Sequence, residues 1–153
     1  MINSNFHEKI VLALSFLILN NYLLLSLSFP SIIIKINFII FLLTILTFYL
    51  KSFLDNQILK IFFLIVILIS LGTPLYEWDP RSIWLFHAKR IFYDNSIFSV
   101  IDNYAEFSHN DYPTLVPALS ASLASLIGHW NEVFPKLSFS FMYLPALILT
   151  LTL

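Results

Sequence analysis

The fold is constrained most by the uneven placement of polar residues along this 153-residue chain. Residues 1–76 consist almost entirely of apolar runs, and a polar stretch over residues 77–117 follows them. That stretch holds six of the nine acidic residues of the chain: Glu77, Asp79, Asp94, Asp102, Glu106 and Asp111. Apolar runs of this length are typical of membrane spans, and ionisable groups gathered between them indicate a loop beside the bilayer.

The composition indicates a membrane protein rather than a soluble domain. The chain is 59% hydrophobic and 11% charged, with a mean hydropathy of +0.86, whereas about 25% of a soluble domain is charged. There is no cysteine, which excludes a disulfide framework and thiol chemistry. The net charge of −1 argues against nucleic acid as a partner. We therefore expect an all-α, polytopic transmembrane protein whose surroundings are the lipid bilayer.

The apolar runs predict a series of spans and one large outer loop. The predicted spans lie at about 11–29, 31–50, 58–72 and 137–153, and the predicted outer loop covers 73–113. The first two have the roughly 17–25 residues that a tilted helix needs. The segment 114–128 is short and is a crossing, a re-entrant or a peripheral helix. Because the chain stops inside an apolar run, we expect a single membrane region, the N-terminal part of a longer protein.

Lysine residues predict how these spans are oriented. Lys9 precedes the first span, and Lys51 and Lys60 flank the link between the second and third. Since Lys and Arg are concentrated in cytoplasmic loops, the N-terminus is predicted to be cytoplasmic. Three crossings then place the loop 73–113 on the external side.

Four polar residues outside the loop also carry predictions. Asn20 and Asn21 lie inside the first span and should face other helices, because an unpaired amide in lipid is costly. Glu132 and Lys136 are four positions apart and can pair with each other.

Within the outer loop, residues 80–93 are predicted to form an amphipathic helix on the membrane surface. Asp79 is a plausible N-cap, and Pro80 suits the first helical position. At 100° per residue one face contains Trp84, Leu85, Ala88, Ile91 and Phe92. The polar side contains Ser82, His87, Lys89, Arg90 and Tyr93. Residues 109–113 contain Asn, Asp and Pro and predict a turn.

Asp79 is the strongest candidate for chemistry. A carboxylate at the membrane surface can accept a proton from an acceptor hydroxyl or hold a metal, whereas the simpler interpretation is a helix cap alone. Glu77 is a second carboxylate within reach. The sequence has no recognisable metal-ligand spacing, although two carboxylates and water suffice for a divalent ion. The cofactor is thus undetermined, with a divalent metal as an option.

Other polar residues of the loop are candidates for substrate binding. Arg81 and Lys89 can bind a lipid-linked phosphate, and the simpler alternative is attraction to anionic headgroups. His109 and Asp111 flank the turn before Tyr112 and can bind a phosphate or sugar hydroxyls. As plain turn-forming residues they would instead have exposed side chains without a ligand.

Residues 76–136 resemble the first outer loop of C-type (GT-C) glycosyltransferases, polytopic enzymes of the dolichyl-phosphate-mannose–protein mannosyltransferase and aminoarabinose transferase kind. The resemblance rests on Trp78-Asp79 after a span, on a surface helix with Trp84 and Lys89, and on the His-Asn-Asp-Tyr-Pro segment 109–113. In that superfamily an acidic residue of this loop serves as catalytic base or metal ligand, and Asp79 holds the matching place. His109 and Pro113 match part of a His-Pro-Pro-Leu-like motif.

The resemblance implies sugar transfer from a polyprenyl-phosphate donor, with inversion at the anomeric carbon. Asp79 would be catalytic, and the implied substrate-binding residues are Glu77, Arg81, Lys89, His109, Asp111 and Tyr112. The chain departs from the superfamily because three predicted spans precede the loop where members usually have one. Two other classes stay open. A transporter subunit would more often carry ionisable residues inside its spans, and the other class is an accessory or scaffold protein without activity.

Overall fold

The computed structural model describes residues 4–52, 57–98 and 108–152, and these residues form helices and no β-strand. The α-helices are α1 Ser4–Ser26, α2 Ser31–Ser52, α3 Gln57–Gly72, α4 Leu85–Asp94, α5 Leu115–Ile127 and α6 Leu137–Thr152. A π-helical turn, Pro80–Trp84, leads into α4, and a 3-10 turn, Phe134–Lys136, leads into α6. The predicted all-α fold is confirmed for these residues. The structure does not describe the side chains of Lys51 and Lys60. Asp102 and Glu106 lie outside the described residues.

α1 begins and ends earlier than the predicted span over 11–29. A capping motif terminates the helix. The Phe29 N–H donates to the Leu24 carbonyl at 2.9 Å, and the Ser28 N–H donates to the Leu25 carbonyl at 3.2 Å. These two bonds form the Schellman arrangement, which needs a left-handed residue after the helix. Ser28 has that conformation, with φ 54°.

Two helices have the length and apolar composition of membrane spans, over Phe6–Ser26 and Ser31–Leu50. α3 and α5 are apolar but contain only 16 and 13 residues. At the α-helical rise they extend about 24 and about 20 Å, against a hydrocarbon core about 30 Å thick. α6 is also apolar and has 16 residues, with Pro145 inside it.

The outer faces of α1, α2 and α3 carry large apolar side chains that nothing in the described chain covers. Leu12 on α1 is 69% exposed, Ile32 on α2 is 61% exposed, and Leu68 on α3 is 57% exposed. Extended exposed apolar surface marks contact with a membrane or with another protein.

α5 is the central helix of the bundle. Each residue from Pro117 to Ala124 is buried, and α5 packs against α1, α2, α4 and α6. Gly128 ends it in a left-handed conformation, φ 91°, with its N–H donating to the Ala124 carbonyl; glycine adopts this conformation without strain. This burial places α5 inside the helical bundle.

The two asparagines of α1 face other helices, as predicted. Asn20 Nδ2 donates to Asn37 Oδ1 of α2 at 2.7 Å. Asn21 Nδ2 donates to the Ser122 hydroxyl of α5 at 2.9 Å, in a buried setting. Each amide thereby joins α1 to a different neighbour, because the only alternative inside the bundle is an unsatisfied polar group.

Serine hydroxyls join the remaining neighbours in the same way. The hydroxyls of Ser120 on α5 and Ser138 on α6 are 2.5 Å apart. The hydroxyls of Ser70 on α3 and Ser140 on α6 are 2.6 Å apart. Small polar residues of this kind let helices approach closely while their hydroxyls stay hydrogen-bonded.

A second set of contacts fixes α4 at the end of the bundle where α1 ends and α2 begins. Asn95 Nδ2 donates to the Phe29 carbonyl at 2.9 Å, and the Ser28 hydroxyl donates to Ser96 Oγ at 2.8 Å. A buried apolar cluster lies beneath them, formed by Leu25, Ile34, Ile91, Ile97, Ala118 and Ala121. The described segment around α4 therefore lies over this one end of the bundle.

The predicted helix over 80–93 is confirmed in extent, and its apolar face is buried, with Ala88 and Ile91 fully inaccessible. Its polar side was predicted wrongly at two positions. His87 is 3% exposed and its Nε2 bonds the Ser108 carbonyl at 2.9 Å, while Arg90 is 5% exposed and donates to the Ile97 carbonyl at 2.6 Å. Protein covers both sides of α4, so α4 is packed into the bundle rather than resting alone on a surface.

Candidate functional site

The larger cleft at the polar end of the bundle lies between the end of α3 and the start of α6. It has a volume of about 380 Å³. Its walls include the apolar residues Pro74, Leu75, Pro80 and Phe139 and the polar residues Glu77 and Lys136. Of the predicted site residues, Glu77 is the one that this cleft contains.

Lys136 is a buried cation of this cleft, 8% exposed, that the sequence interpretation missed. Its Nζ donates to the Leu71 carbonyl at 3.2 Å and to the Thr73 carbonyl at 2.6 Å. Leu71 lies in the last turn of α3 and Thr73 directly follows the helix, where a cation satisfies unpaired acceptors and the negative end of the helix dipole. The predicted pairing of Lys136 with Glu132 is therefore wrong.

A smaller cleft of about 180 Å³ brings Arg81 and Lys89 together. Trp130 and Glu132, from the link between α5 and α6, complete its polar lining. Both basic residues are exposed and lie on one continuous helical segment, eight positions apart, which is about 12 Å along its axis. Leu75 lines this cleft and the larger one, which makes the two clefts neighbours.

The predicted N-cap role of Asp79 is wrong. An N-cap residue has non-helical dihedral angles, whereas Asp79 has φ −59° and ψ −50°, and its side chain makes no capping hydrogen bond. Helical conformation already begins at Trp78, one residue earlier. Asp79 is exposed and lines neither of the two clefts, so helix capping does not explain its carboxylate.

A third polar group surrounds the predicted turn over 109–113. The turn is confirmed, because the Tyr112 N–H donates to the His109 carbonyl at 3.0 Å. His109 Nδ1 lies 3.9 Å from Asp111 Oδ1, and their side chains are 51% and 82% exposed. The His109 and Tyr112 rings stack with centroids 4.9 Å apart, and the ring centroids of Tyr112 and Trp84 are 6.0 Å apart. Trp84 thereby connects the turn to the π-helical turn.

The predicted site residues thus fall into separate places at one end of the bundle. Arg81 and Lys89 share a cleft, Glu77 lines the neighbouring cleft, and the turn residues form an exposed group of their own. In the part of the chain that the structure describes, no three His, Asp or Glu side chains are placed to hold a metal ion.

Comparisons of the chain with protein-family models, with curated proteins and with solved structures found no match.

Proposed function

We propose that this chain belongs to a polytopic membrane glycosyltransferase that transfers a sugar from a polyprenyl-phosphate donor to an acceptor on the non-cytoplasmic side. The proposal is supported most by the cleft that Arg81 and Lys89 share. Two cations that line one cleft suit a phosphate, because charge-assisted hydrogen bonds to its oxygens are about twice as strong as neutral ones. A carboxylate, Glu77, lines the adjoining cleft.

The membrane arrangement has its own support. α1 and α2 have the length and composition of spans, and the outer faces of the first three helices are apolar and exposed. The connection between α1 and α2 contacts the segment after α4, so both lie at the same end of the bundle. With three crossings before the outer loop, the N-terminus lies at the opposite end of the bundle from that loop. This opposite end is the proposed cytoplasmic end.

The proposed reaction is a single displacement at the anomeric carbon. Asp79 takes the proton of the acceptor hydroxyl as this oxygen forms its bond to the anomeric carbon. The bond from that carbon to the donor phosphate oxygen breaks, and the polyprenyl phosphate leaves with the electron pair. Arg81 and Lys89 neutralise the charge that develops on the phosphate. His109, Asp111 and Tyr112 are proposed to bind sugar or acceptor hydroxyls.

Paired carboxylate variants test the assignment of the base. Asp79→Asn removes the basic group, and because Asp79 caps no helix the substitution should leave expression and membrane insertion unchanged. Transfer from a polyprenyl-phosphate sugar, measured in membranes and scaled to protein level, should fall on the order of 10²-fold or more. Glu77→Gln is the matched control and should reduce transfer less.

The opposite ranking would assign the base to Glu77, and full activity in both variants would show that neither carboxylate is the base. Arg81→Gln and Lys89→Gln should each weaken donor use about 10-fold, as expected when one charged hydrogen bond is lost. Lys9 lies near the start of α1, at the end of the bundle away from this cleft, so Lys9→Gln should leave donor use unchanged. A protein with no transfer activity toward any polyprenyl-phosphate sugar would fit the accessory or scaffold class instead.

A further inference from the structure

The directions of α1 and α2 define the two ends of the bundle. Asn20 of α1 donates to Asn37 of α2 at 2.7 Å, within two turns of the link between these helices. Near the other end of the pair, the ring centroid of His7 lies 5.9 Å from that of Phe48, so α1 and α2 are antiparallel. α4 is fixed beside the link between them, and this is the polar end of the bundle.

α6 begins near the polar end and runs away from it. α3 starts five positions after the end of α2, which is the opposite end of the bundle, and its own end leads into the helical segment of α4. Lys136, directly before α6, donates to the Leu71 and Thr73 carbonyls at the end of α3. Further along α6, the Ser140 hydroxyl bonds the Ser70 hydroxyl. Since the contacts go back along α3 as α6 proceeds, the two helices are antiparallel.

Both ends of α5 also lie at the polar end. Before α5, Thr114 Oγ1 lies 3.2 Å from the hydroxyl of Tyr22, which is four positions from the end of α1. After α5, the ring centroid of Trp130 lies 6.0 Å from that of Phe92 on α4. A helix that crossed the bundle would instead place one of its ends beside the start of α1. α5 therefore begins and ends on the same side of the bundle.

α5 lies across α1 rather than along it. Asn21 of α1 donates to Ser122 of α5 at 2.9 Å, while the adjacent Tyr22 meets Thr114. Thr114 and Ser122 are eight positions apart, about 12 Å along a helix, whereas neighbouring residues of α1 differ in height by about 1.5 Å. Two helices with parallel or antiparallel axes would spread such contacts over equal lengths of both. α5 is thus inclined steeply to α1, and its buried alanines and serines let the helices approach this closely.

We propose that α5 is a re-entrant helix, which enters the membrane region from the external face and returns the chain to that face. α1, α2, α3 and α6 are then the crossings, and the bilayer accommodates the shorter α3 and α6 by local thinning. The proposal rests on the membrane arrangement inferred above and not on sugar transfer. Links at membrane depth are tolerated where protein buries them or where they line a water-filled cavity, and the link over 128–136 contributes to both clefts.

The re-entrant path determines which residues the external site contains. Trp130 and Glu132 follow α5 and line one cleft with Arg81 and Lys89. A crossing α5 would place them on the opposite membrane face from Arg81, so the proposed donor cleft exists only if the helix is re-entrant. Glu132, which was predicted only to pair with Lys136, thereby becomes a residue of the external site.

Single-cysteine labelling of the full-length protein in sealed, uniformly oriented membrane vesicles tests the proposal. The sequence has no cysteine, so each substitution introduces one thiol into it, and Lys9, Lys89 and Glu132 are all exposed. A membrane-impermeant maleimide should modify Glu132→Cys from the same face as Lys89→Cys, and Lys9→Cys from the opposite face. Reaction of Glu132→Cys from the Lys9 face would overturn the re-entrant helix. Reaction of Lys9→Cys and Lys89→Cys from one face would instead overturn the membrane arrangement.

Distances between paired spin labels provide a second test, which does not depend on access from either face. In detergent, labels at Lys89 and Glu132 should be clearly closer than labels at Lys9 and Lys89, because the length of α1 after Lys9 separates the second pair by about 25 Å. Equal distances for the two pairs would contradict the re-entrant helix, since a crossing α5 would separate Lys89 from Glu132 by the hydrocarbon core, about 30 Å thick. The expected sidedness in a protein without transfer activity would support the re-entrant helix and contradict the proposed enzyme.

Discussion

Replacing Ile91 by alanine should destabilise the whole polar end of the bundle. Ile91 is fully inaccessible and lies in the apolar cluster that joins α4 to α1, α2 and α5. The substitution removes three carbon atoms, worth about 0.8 kcal/mol each when buried. The neighbouring side chains belong to different helices and cannot all move into the space, so a cavity cost adds to this transfer term. We expect a loss of about 3 kcal/mol in the free energy of unfolding.

The measurement is unfolding in mixed micelles with an increasing fraction of denaturing detergent, followed by circular dichroism. Ile36→Ala is the matched control, because it removes the same atoms from a side chain that is 51% exposed on α2. It should change the free energy of unfolding by about 0.5 kcal/mol or less, as surface substitutions usually do. Equal effects of the two substitutions would refute the packing of α4 against the bundle and return it to a detached surface helix.

Three further results are expected. In a double-mutant cycle, Asn21→Ala and Ser122→Ala should show a coupling of about 0.6 kcal/mol in the free energy of unfolding, the average for such bonds in membranes; additive effects would mean that the two side chains do not interact. Spin labels along α4 should show a helical period, with a label at His87 protected and one at Lys89 accessible, and a flat profile would contradict the helix. A cysteine at Asn95 should react with a membrane-impermeant reagent from the external side, and reaction from the cytoplasmic side would reverse the predicted orientation.

The helical elements were predictable because their signals are local. Pro30 directly precedes α2, Pro80 lies in the first turn of the helical segment that begins at Trp78, and Gly128 marks the end of α5. The period of the apolar residues in α4 correctly identified Ala88 and Ile91 as buried. Where a local signal was ambiguous the prediction was wrong. Asp before Pro80 is typical of an N-cap, yet the chain is already helical at Asp79.

The partners of the polar side chains depended on the tertiary structure. His87 and Arg90 have the polarity of surface residues, but chain segments on either side of α4 bury them and accept their hydrogen bonds. Lys136 binds carbonyls 65 and 63 positions earlier rather than Glu132 four positions earlier. Neither contact has a signature in the neighbouring sequence, because both depend on where separate helices end.

By itself, the sequence determined that this chain folds as apolar helices with its ionisable residues gathered in one segment. Composition and periodicity are properties of neighbouring residues, and they decide which surfaces must leave water. Only the tertiary structure decided that Arg81 and Lys89 share a cleft, that Asp79 stands outside it, and that Lys136 and Glu77 line one cleft. Those relations depend on how α3, α5 and α6 pack, and packing joins residues far apart in the chain. The catalytic role of Asp79 stays a prediction.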